Sequence, residues 1–588
     1  MLTEDSRLIS KLFFRLLPIQ ILLAAIGAVN GIVSGLFASN YVGSEAMAAV
    51  GLYGPVNTFL AAVGVMLMGG SQLLCGKYMG RNEKERTNSV FSLDILISVI
   101  LSAAVTAALA VAAGFNLTGF LGGGEAERHI LNQYILGQAI GVLPLVVSQQ
   151  LSAFLSLENR SKRTTAASVV FIAVNLLLNY LFVAVGKMGA FGLALAGSLG
   201  QWVFCGIQAH YFLSGKSLLR FSLRDSRMKD VSEIIRIGYP GALANGYMTL
   251  RGLAVNALIT GFVGGTGLSA MSAANSFLGI FWALPNGVLA VSRMLIGVSI
   301  GEEDRKSLTD VMRVAFYRCV PIMCAVSALL IFLAKPLTGL YYQDAADPVY
   351  QMTVMGFRLL PICMPLAIFC THFTCYAQAS GKQLLVHILS LLDGLVCVAA
   401  FTFILIPFLG MNGVYAANIL NGIVCAVFPL LYSCVRRKRF PRDMEEAMDI
   451  PDGFGAAEDD RIDIAVHNMD EVVTVSEKIS AFCREKGIDR RRSFHAALCL
   501  EEMAGNVVVH GFPKDNRKHT ADIRLVKKND DLILRVKDDC PAFDPAERRS
   551  IMDPEDKTRN IGIRIVYGAA KDIQYQNMFG LNVTTMRI

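Results

Sequence analysis

Long apolar runs fill the first three quarters of this chain and restrict what it can fold into. Between about Lys11 and Ser433 the charged residues lie in short clusters, whereas after Arg436 they are spread throughout. The runs between these clusters reach roughly 20 residues or more, which is what an α-helix needs to cross the hydrocarbon core of a bilayer. The sequence therefore predicts an integral membrane region followed by a soluble domain.

Twelve spans are predicted from these runs, which makes the membrane region all-α. They lie near 12–38, 46–75, 90–114, 129–155, 164–186, 190–214, 235–262, 267–297, 309–336, 350–376, 383–408 and 411–435. Only 17% of all residues are charged, compared with about a quarter in soluble domains. The composition agrees with a chain that is mostly embedded in lipid.

The loops between spans alternate in charge. Those on one side are rich in Lys and Arg, and those on the other are poor in both. Basic loops face the cytoplasm, so we expect both termini in the cytoplasm of a bacterium, with the spans in its cytoplasmic membrane. The basic loops are 76–86, 158–163, 215–229, 302–307, 380–382 and 436–442.

The net charge of +7 and the 13 cysteines do not indicate nucleic-acid binding or a disulfide framework. Most of the excess charge belongs to the loops beside spans, where it sets orientation. No CxxC pair occurs, and most cysteines lie in apolar segments. We interpret them as packing residues rather than metal ligands.

An internal repeat divides the spans into two halves. At an offset of 221 residues, GKYMGRNEKER (76–86) aligns with GVSIGEEDRKS (297–307), so that Gly76 and Gly80 correspond to Gly297 and Gly301. The same offset relates 41–52 to 262–273 and 187–197 to 408–418. The repeat predicts two six-helix halves of parallel topology with a transport pathway between them.

The two halves, the glycine-ended loop with its repeat, and NLLLNYLFVAVGKMGAFGLALAG (175–197) resemble the multidrug and toxic compound extrusion (MATE) transporters over roughly 10–435. The resemblance implies export of small-molecule substrates, often organic cations, in exchange for H⁺ or Na⁺. The chain departs from that family at two positions. Asn30 stands in the first span where many members have an acid, and the seventh span, 235–262, has none.

Charged residues inside spans are candidates for substrate or ion contact, because a charge at the bilayer centre is costly. Asp393 lies about 15 Å into the eleventh span at 1.5 Å per residue, where desolvation favours a proton carrier. An acid hydrogen-bonded between helices is the alternative. Arg251, mid-span in the seventh, is expected either to pair with Asp393 or to line the cavity. Asp94, near the start of the third span, is expected to snorkel to the interface.

Four asparagines in spans are further candidates for the transport cavity, although hydrogen bonding between helices is the favoured explanation for each of them. They are Asn30, Asn175, Asn179 and Asn256.

The C-terminal region has the pattern of an α/β sandwich, in which a one-faced sheet is covered by helices. We expect strands at 461–467, 521–528, 532–538, 573–577 and 581–588, helices at 470–486 and 490–511, and a short helix from Gly562. The expected domains are a first transporter half at 10–215, a second at 230–435, a charged linker at 436–460 and this domain at 461–588.

Three short stretches, LEEMAGNVVVHGF (500–512), VKDDCPAFDP (536–545) and RNIGIRIVYG (559–568), resemble in that order the GHKL ATPases with their Bergerat-like fold. The anti-sigma-factor serine kinases are the most similar branch. In helix 490–511, Glu502, Asn506 and His510 share one face. Cys540 and Asn560 depart from the family, which has glycines there.

The resemblance implies ATP and Mg²⁺ as cofactors and gives each residue a role. Asn506 would hold Mg²⁺ on the phosphates, and Glu502 would be the general base for water or a serine hydroxyl. Asp538 would accept a hydrogen bond from the adenine amino group, and Asp544 and Gly562 would complete the ATP site. His510 is expected to be structural.

Three functions remain open at this point. The first is a secondary exporter with a regulatory, kinase-like ATP-binding domain and a cytoplasmic protein partner. The second is a flippase for lipid-linked saccharides, which an Arg251 facing the cavity favours. The third is a membrane-tethered anti-sigma-like kinase that uses the spans as a sensor. A P-loop motor is excluded, because no GxxxxGK[ST] sequence occurs in the chain.

Overall fold

The computed structural model describes residues 7–37, 53–117, 125–222, 224, 226–342, 344–514, 517–528, 530–544 and 561–588. The chain forms two compact units. The larger comprises Leu16–Gly301 and Met312–Asp449, and the smaller comprises Met1–Arg15, Glu302–Val311 and Ile450–Ile588. The smaller unit thus contains two short segments from the predicted membrane region in addition to the C-terminal domain.

In the part of the chain that the structure describes, twelve helical segments lie at the positions of the predicted spans. They are α1 (Arg7–Phe37), α2 (Gly54–Gly80), α3 (Lys84–Gly114), α4 (Glu125–Leu157), α5 (Ser161–Asn179), α6 (Gly189–Leu213), α7 (Met228–Phe262), α8 (Gly265–Phe281 and Ala283–Gly301), α9 (Arg305–Val314 and Val320–Phe332), α10 (Pro348–Leu359 and Cys363–Ala379), α11 (Gln383–Leu391 and Cys397–Leu409) and α12 (Met411–Arg437). Within the described residues, eleven of these are long and apolar enough to cross a membrane. The exception, α7, has 35 residues but begins with several charged ones.

Glycines that the repeat pairs with each other meet in space. A Cβ added to Gly76 of α2 would lie 3.3 Å from the backbone of Gly297 in α8. One turn further along, a Cβ at Gly301 would overlap the carbonyl of Lys77. Corresponding helices of the two halves therefore cross where neither has a side chain, which is the contact expected between two repeats of parallel topology.

A second close crossing joins α2 to α7. A Cβ at Gly238 would overlap the carbonyl oxygen of Met66, and one at Gly70 would overlap that of Ile234. We predict that Gly238→Ala destabilises the protein by about 1–3 kcal/mol, because the helices must separate to admit the methyl group. Thermal unfolding of the full-length chain in detergent measures the effect.

Gly246→Ala is the matched control for this prediction. It lies on the same helix, but a Cβ there meets no atom within 4 Å. The alanine should leave the unfolding temperature unchanged or raise it slightly, because alanine is the better helix former. Equal unfolding temperatures for the two variants would mean that the crossing is not close.

The C-terminal domain contains a five-stranded antiparallel sheet in the order β1-β2-β3-β5-β4. The strands are β1 (Arg461–Val466), β2 (Ala521–Lys528), β3 (Asp531–Asp538), β4 (Asp572–Met578) and β5 (Leu581–Arg587). All five lie where the sequence predicts them. Because side chains alternate along a strand, the sheet has one apolar and one polar face.

Helices cover the apolar face. They are α13 (Met469–Glu485), α14 (Arg490–Asn506) and α15 (Ile561–Ala569). Leu500 of α14, Ile523 of β2, Leu534 of β3 and Met586 of β5 are all at most 1% exposed and belong to one core. This arrangement confirms the predicted α/β sandwich.

Candidate functional site

Helix α14 carries Glu502 and Asn506 one turn apart, and both side chains are half-buried. The helix begins after Asp489, whose carboxylate accepts a hydrogen bond from the Arg492 N–H at 2.9 Å and so caps it. Leu500, on another face of α14, is buried in the core. The core therefore fixes the rotation of the helix and leaves the Glu502 and Asn506 side available for a ligand.

The beginning of α15 lies directly against Glu502. A Cβ at Gly562 would overlap the Glu502 carboxylate, whose carbon would be only 2.9 Å away. Because the first N–H groups of a helix have no partner within it, they bind phosphate well. The approach of Gly562 therefore brings backbone donors beside a carboxylate.

Asp538, the last residue of β3, is only 4% exposed. Its Oδ1 accepts hydrogen bonds from Asn582 Nδ2 at 2.8 Å and from the Cys540 N–H at 3.0 Å. Burial raises the pKa of the Asp538 carboxyl above its usual range, although these two hydrogen bonds oppose the rise. The carboxylate is thus held in one orientation at the end of the sheet.

The residues after β3 form a second polar cluster. Asp539 accepts hydrogen bonds from the Thr520 N–H at 3.0 Å and from His519 Nδ1 at 3.1 Å. The Phe543 N–H donates to the Tyr575 hydroxyl at 3.2 Å. Asp544 follows, half-buried. These contacts fix the start of the loop in which Asp538 and Asp544 are the expected ligand residues.

Two residues beside this site were singled out in the sequence. His510 is exposed and lies in a π-helical turn, Val507–Gly511, so the structural role expected for it stays a prediction. Cys540, which stands where the GHKL family has glycine, is buried, and its sulfur would lie 3.0 Å from a Cβ at Gly511. Cys540 thus packs against Gly511, the last residue of the turn that follows α14. Asn560 lies outside the described residues.

The described residues fit a nucleotide with Mg²⁺. The lack of a side chain at Gly562 lets the Glu502 carboxylate approach the start of α15, where the first N–H groups of the helix are available for a phosphate. Asn506 offers an amide oxygen, the kind of hard ligand that Mg²⁺ accepts, one turn from Glu502. Sequence reasoning did not identify Asn582, which positions Asp538. Its only signal was a polar residue in the last strand.

The polar face of the sheet binds the segment Glu302–Val311. Arg524 of β2 forms an ion pair with Asp304, and both side chains are less than a tenth exposed. Lys537 and Arg535 of β3 contact Glu302 at 2.9 and 3.3 Å. The register of two strands brings the basic side chains together, since Arg524 of β2 pairs with Arg535 of β3.

The ionisation of Asp304 is stabilised in this cluster. Burial by itself would raise the pKa of the Asp304 carboxyl, but the charges of Arg524 and Lys537 outweigh it and hold that pKa well below its usual range. Asp304 also accepts a hydrogen bond from the Ser307 N–H at 3.0 Å. The sequence analysis did not assign this contact, although acidic residues in an otherwise basic set of loops were the available signal.

Within the larger unit, Asp393 lies in a π-helical turn, Leu392–Val396, that interrupts α11. Asn421 of α12 donates to its Oδ1 at 2.8 Å. Arg251 donates to the backbone carbonyl of Asp393 at 3.2 Å. The contact between the two residues is therefore present, but it is not the carboxylate ion pair that the sequence suggested.

Of the in-span asparagines, Asn179 donates to the Asn175 side chain at 2.8 Å, and both are buried. Asn256 is exposed on α7, and the side chain of Asn30 lies outside the described residues. Asp94 is fully buried and accepts from the Ser71 hydroxyl at 2.6 Å. The prediction that Asp94 snorkels to the interface is therefore wrong.

Two family models match the chain. Residues 21–181 and 240–422 match the MatE model, and residues 466–588 match the histidine kinase-like ATPase domain. The two matches place a MatE region and a histidine kinase-like ATPase domain in one chain.

Curated relatives match the membrane region. A probable multidrug resistance protein NorM of Listeria monocytogenes is 25% identical over 251 residues, which are 41% of this chain and 53% of the relative. The Bacillus licheniformis protein of the same name is 23% identical over 359 residues, 58% of this chain and 76% of the relative. The chain thus spans about half the length of the Listeria relative.

Solved structures share the fold. An outward-facing MATE transporter of the MOP superfamily aligns with a TM-score of 0.67 and 21% identity, covering 74% of this chain and 99% of that one. A MOP superfamily transporter from Pyrococcus furiosus, described as having a binding pocket of reverse polarity, aligns at 0.65 and 20% with coverage of 74% and 99%.

Proposed function

The chain belongs to the MatE family of transporters and ends in a histidine kinase-like ATPase domain, and from that premise we propose that it is a secondary active exporter whose transport responds to ATP bound by the C-terminal domain. The observation that carries the proposal is the ion-pair cluster between the polar face of the ATPase sheet and Glu302–Val311. That segment follows α8 directly and leads into α9.

The transported substrate is a drug or organic cation, exchanged for H⁺ or Na⁺. Support comes from the relatives, which are named multidrug resistance proteins. Asp393, Arg251, Asn30, Asn175, Asn179 and Asn256 are the proposed polar residues of the transport cavity. Both termini face the cytoplasm of a bacterial cell, because the basic loops lie on their side of the membrane.

A lipid-linked saccharide flippase is the second candidate, and Arg251 favours it. The guanidinium contacts the backbone carbonyl rather than the carboxylate of Asp393. This contact does not offset its positive charge, which suits an anionic head group. Vesicle assays separate the two candidates. Counterflow of organic cations supports the exporter, and translocation of a labelled anionic glycolipid without such counterflow supports the flippase.

In the C-terminal domain, ATP with Mg²⁺ would supply a transferable phosphoryl group. Asp538 would select adenine by accepting its amino hydrogen, and Asn506 would orient the metal. Glu502 would take the proton from an attacking water or from the serine hydroxyl of a cytoplasmic protein partner. The backbone donors beside Gly562 would hold phosphate oxygens. These roles give the domain the chemistry of a serine kinase or a hydrolase.

The link to transport runs through the segment Glu302–Val311. Glu302 and Asp304 contact β2 and β3, and Asp538 ends β3. A displacement of β3 on nucleotide binding therefore reaches the start of α9 through a short chain of buried ion pairs. In this role ATP regulates the exporter, and the ion gradient drives it.

Asp538→Asn tests the proposal. The amide oxygen can keep the hydrogen bonds from Asn582 and Cys540, but its NH₂ group cannot accept from adenine. A hydrogen bond to a charged group contributes about 1.5–3 kcal/mol, so we expect ATP affinity to fall about tenfold to hundredfold. Titration of the full-length chain with ATP–Mg²⁺ measures the affinity. Export of a fluorescent organic cation from proteoliposomes should require correspondingly more ATP for the same response.

Asp539→Asn is the matched control, because that neighbouring carboxylate contacts Thr520 and His519 instead. It should bind ATP as the wild type does. If the wild type binds ATP but its export rate does not change, ATP does not regulate transport, although the nucleotide site is present. Unchanged affinity in Asp538→Asn would refute the role of that residue.

A further inference from the structure

We propose that Cys370, Asp393 and Cys425 form a binding site inside the transporter half for one soft or borderline divalent cation, of which Zn²⁺ and Cd²⁺ are the reference ions. The two sulfurs and a carboxylate oxygen all lie within 4.8 Å of one another. This site does not depend on ATP and goes beyond the proposed transport of organic cations.

Three different helices supply the ligands. Cys370 comes from α10, Asp393 from α11 and Cys425 from α12. Asp393 is in the π-helical turn of α11, a local irregularity that often marks functional sites because it redirects a side chain. The turn brings the carboxylate to the two thiols, which are themselves buried.

One side chain orients two of the three ligands. Asn421, one turn before Cys425 on α12, donates to Asp393 Oδ1 at 2.8 Å and accepts from the Cys425 thiol at 3.5 Å. Metal ligands are commonly held by such outer hydrogen bonds, and loss of the outer partner weakens metal binding. The amide of Asn421 therefore fixes the relation between the carboxylate and the sulfur before any ion binds. Ion binding releases the two thiol protons to solvent, so the bond from Cys425 is then lost and the bond from Asn421 to Asp393 remains.

The ligand set selects the class of ion. Thiolates favour Zn²⁺ and its thiophilic relatives, whereas Na⁺, Mg²⁺ and Ca²⁺ favour oxygen ligands. Bonds of about 2.0–2.3 Å in a tetrahedral Zn²⁺ site require ligand atoms roughly 3.8 Å apart, so closure needs shifts of about 1 Å. Three protein ligands leave one position open for water or exchange.

Exposure differs among the three ligands, and a positive charge lies nearby. Asp393 is half-buried, while Cys370 and Cys425 are 4% and 0% exposed, so the carboxylate is the most accessible of the three. Two thiolates and a carboxylate exceed the charge of a divalent ion by one. The Arg251 guanidinium, which donates to the Asp393 carbonyl, offsets that excess.

Titration of the full-length chain with Cd²⁺, in detergent or nanodiscs, tests the site through the ultraviolet charge-transfer band of cadmium thiolates. We expect one Cd²⁺ per chain, displaced by Zn²⁺ but not by Mg²⁺. The double variant Cys370→Ser/Cys425→Ser should lose the band. Asp393→Asn and Asn421→Ala should keep it but weaken Cd²⁺ binding about tenfold to hundredfold. Cys319→Ser, a buried thiol outside the cluster, is the control and should change nothing.

A second measurement guards against misfolding of the double variant. Buried thiols react with maleimide only when the structure opens, so in mild denaturant Cd²⁺ should slow the labelling of Cys370 and Cys425 in the wild type, mapped by mass spectrometry, but not that of the exposed Cys324. Three results would overturn the proposal: no saturable band in the wild type, a band retained by the double variant, or equal labelling of the two thiols with and without Cd²⁺.

Discussion

Replacing Glu502 by Gln is expected to lower the rate of phosphate release from ATP by about 10²–10⁴-fold, the usual contribution of a general base. Glutamine keeps the shape of the side chain against Gly562, where a Cβ would overlap the carboxylate. Because the two side chains have the same shape, ATP should still bind with an affinity within about threefold of the wild type. Steady-state phosphate release by the full-length chain, together with ATP–Mg²⁺ titration, separates catalysis from binding.

The neighbouring Glu501→Gln provides the matched control. Glu501 accepts a hydrogen bond from the Ser476 hydroxyl at 2.5 Å, so it ties α14 to α13 and has no part in the proposed chemistry. Its replacement should change phosphate release by only a few fold. An equal loss in both variants would indicate a structural effect. If Glu502→Gln releases phosphate as fast as the wild type, Glu502 is not the general base, and ATP acts only as a bound regulator.

The spans and strands were predictable because each depends on a local pattern. A run such as 411–435 is apolar over the thickness of a bilayer, and α12 spans Met411–Arg437. Alternation of side chains likewise predicts β2 and β3 to within a residue. The π-helical turn at Leu392–Val396 had no such signal, because a turn with one extra residue does not change the hydropathy of the segment.

Contacts between distant residues were the part that the sequence did not reveal. Cys370, Asp393 and Cys425 come from three helices, and each cysteine alone looks like a packing residue in an apolar segment. The similar depth of Arg251 and Asp393 in their predicted spans correctly indicated a contact between them. Depth alone does not tell which oxygen of Asp393 accepts the hydrogen bond. In the same way, Asp94 looked close enough to the interface to reach water, and only packing shows it enclosed.

The face of the C-terminal sheet is an intermediate case. Alternating polar and apolar residues predicted a one-faced sheet covered by helices, and this prediction gave the polar face no partner. The structure instead places Glu302 and Asp304 on it. These residues are more than 200 positions away from their partners Arg524 and Lys537 in the chain, so no local pattern could have joined them.

Arg524→Met should release the segment Glu302–Val311 from the sheet. The change removes the direct ion-pair partner of Asp304, a carboxylate that is less than a tenth exposed, and breaking a buried ion pair in this way costs about 3–5 kcal/mol. Hydrogen exchange in the full-length protein should therefore be about 10²–10⁴-fold faster for amides of this segment, since 1.36 kcal/mol corresponds to a factor of ten. Arg491→Met, which replaces an exposed arginine, should leave exchange unchanged.

A second substitution distinguishes loss of the pair from loss of packing. In Arg524→Met/Asp304→Asn both charges of the pair are removed, and Asp463, the second carboxylate beside Arg524, keeps its ion pair with Arg461. Exchange should therefore slow again towards the wild-type rate. Because the pKa of Asp304 is lowered in the folded protein, the pH dependence of hydrogen exchange tests the same ion pair. The ion pair of Asp304 contributes its full stability above the unfolded pKa of about 3.9, and this contribution is lost as the pH falls through the lower folded value. The rate of hydrogen exchange in the wild type should therefore not rise in mild acid.

If the double variant exchanges as fast as Arg524→Met, the ion pair does not hold the segment. If it exchanges slowly but export no longer responds to ATP, charge at this contact transmits the response, and attachment alone does not.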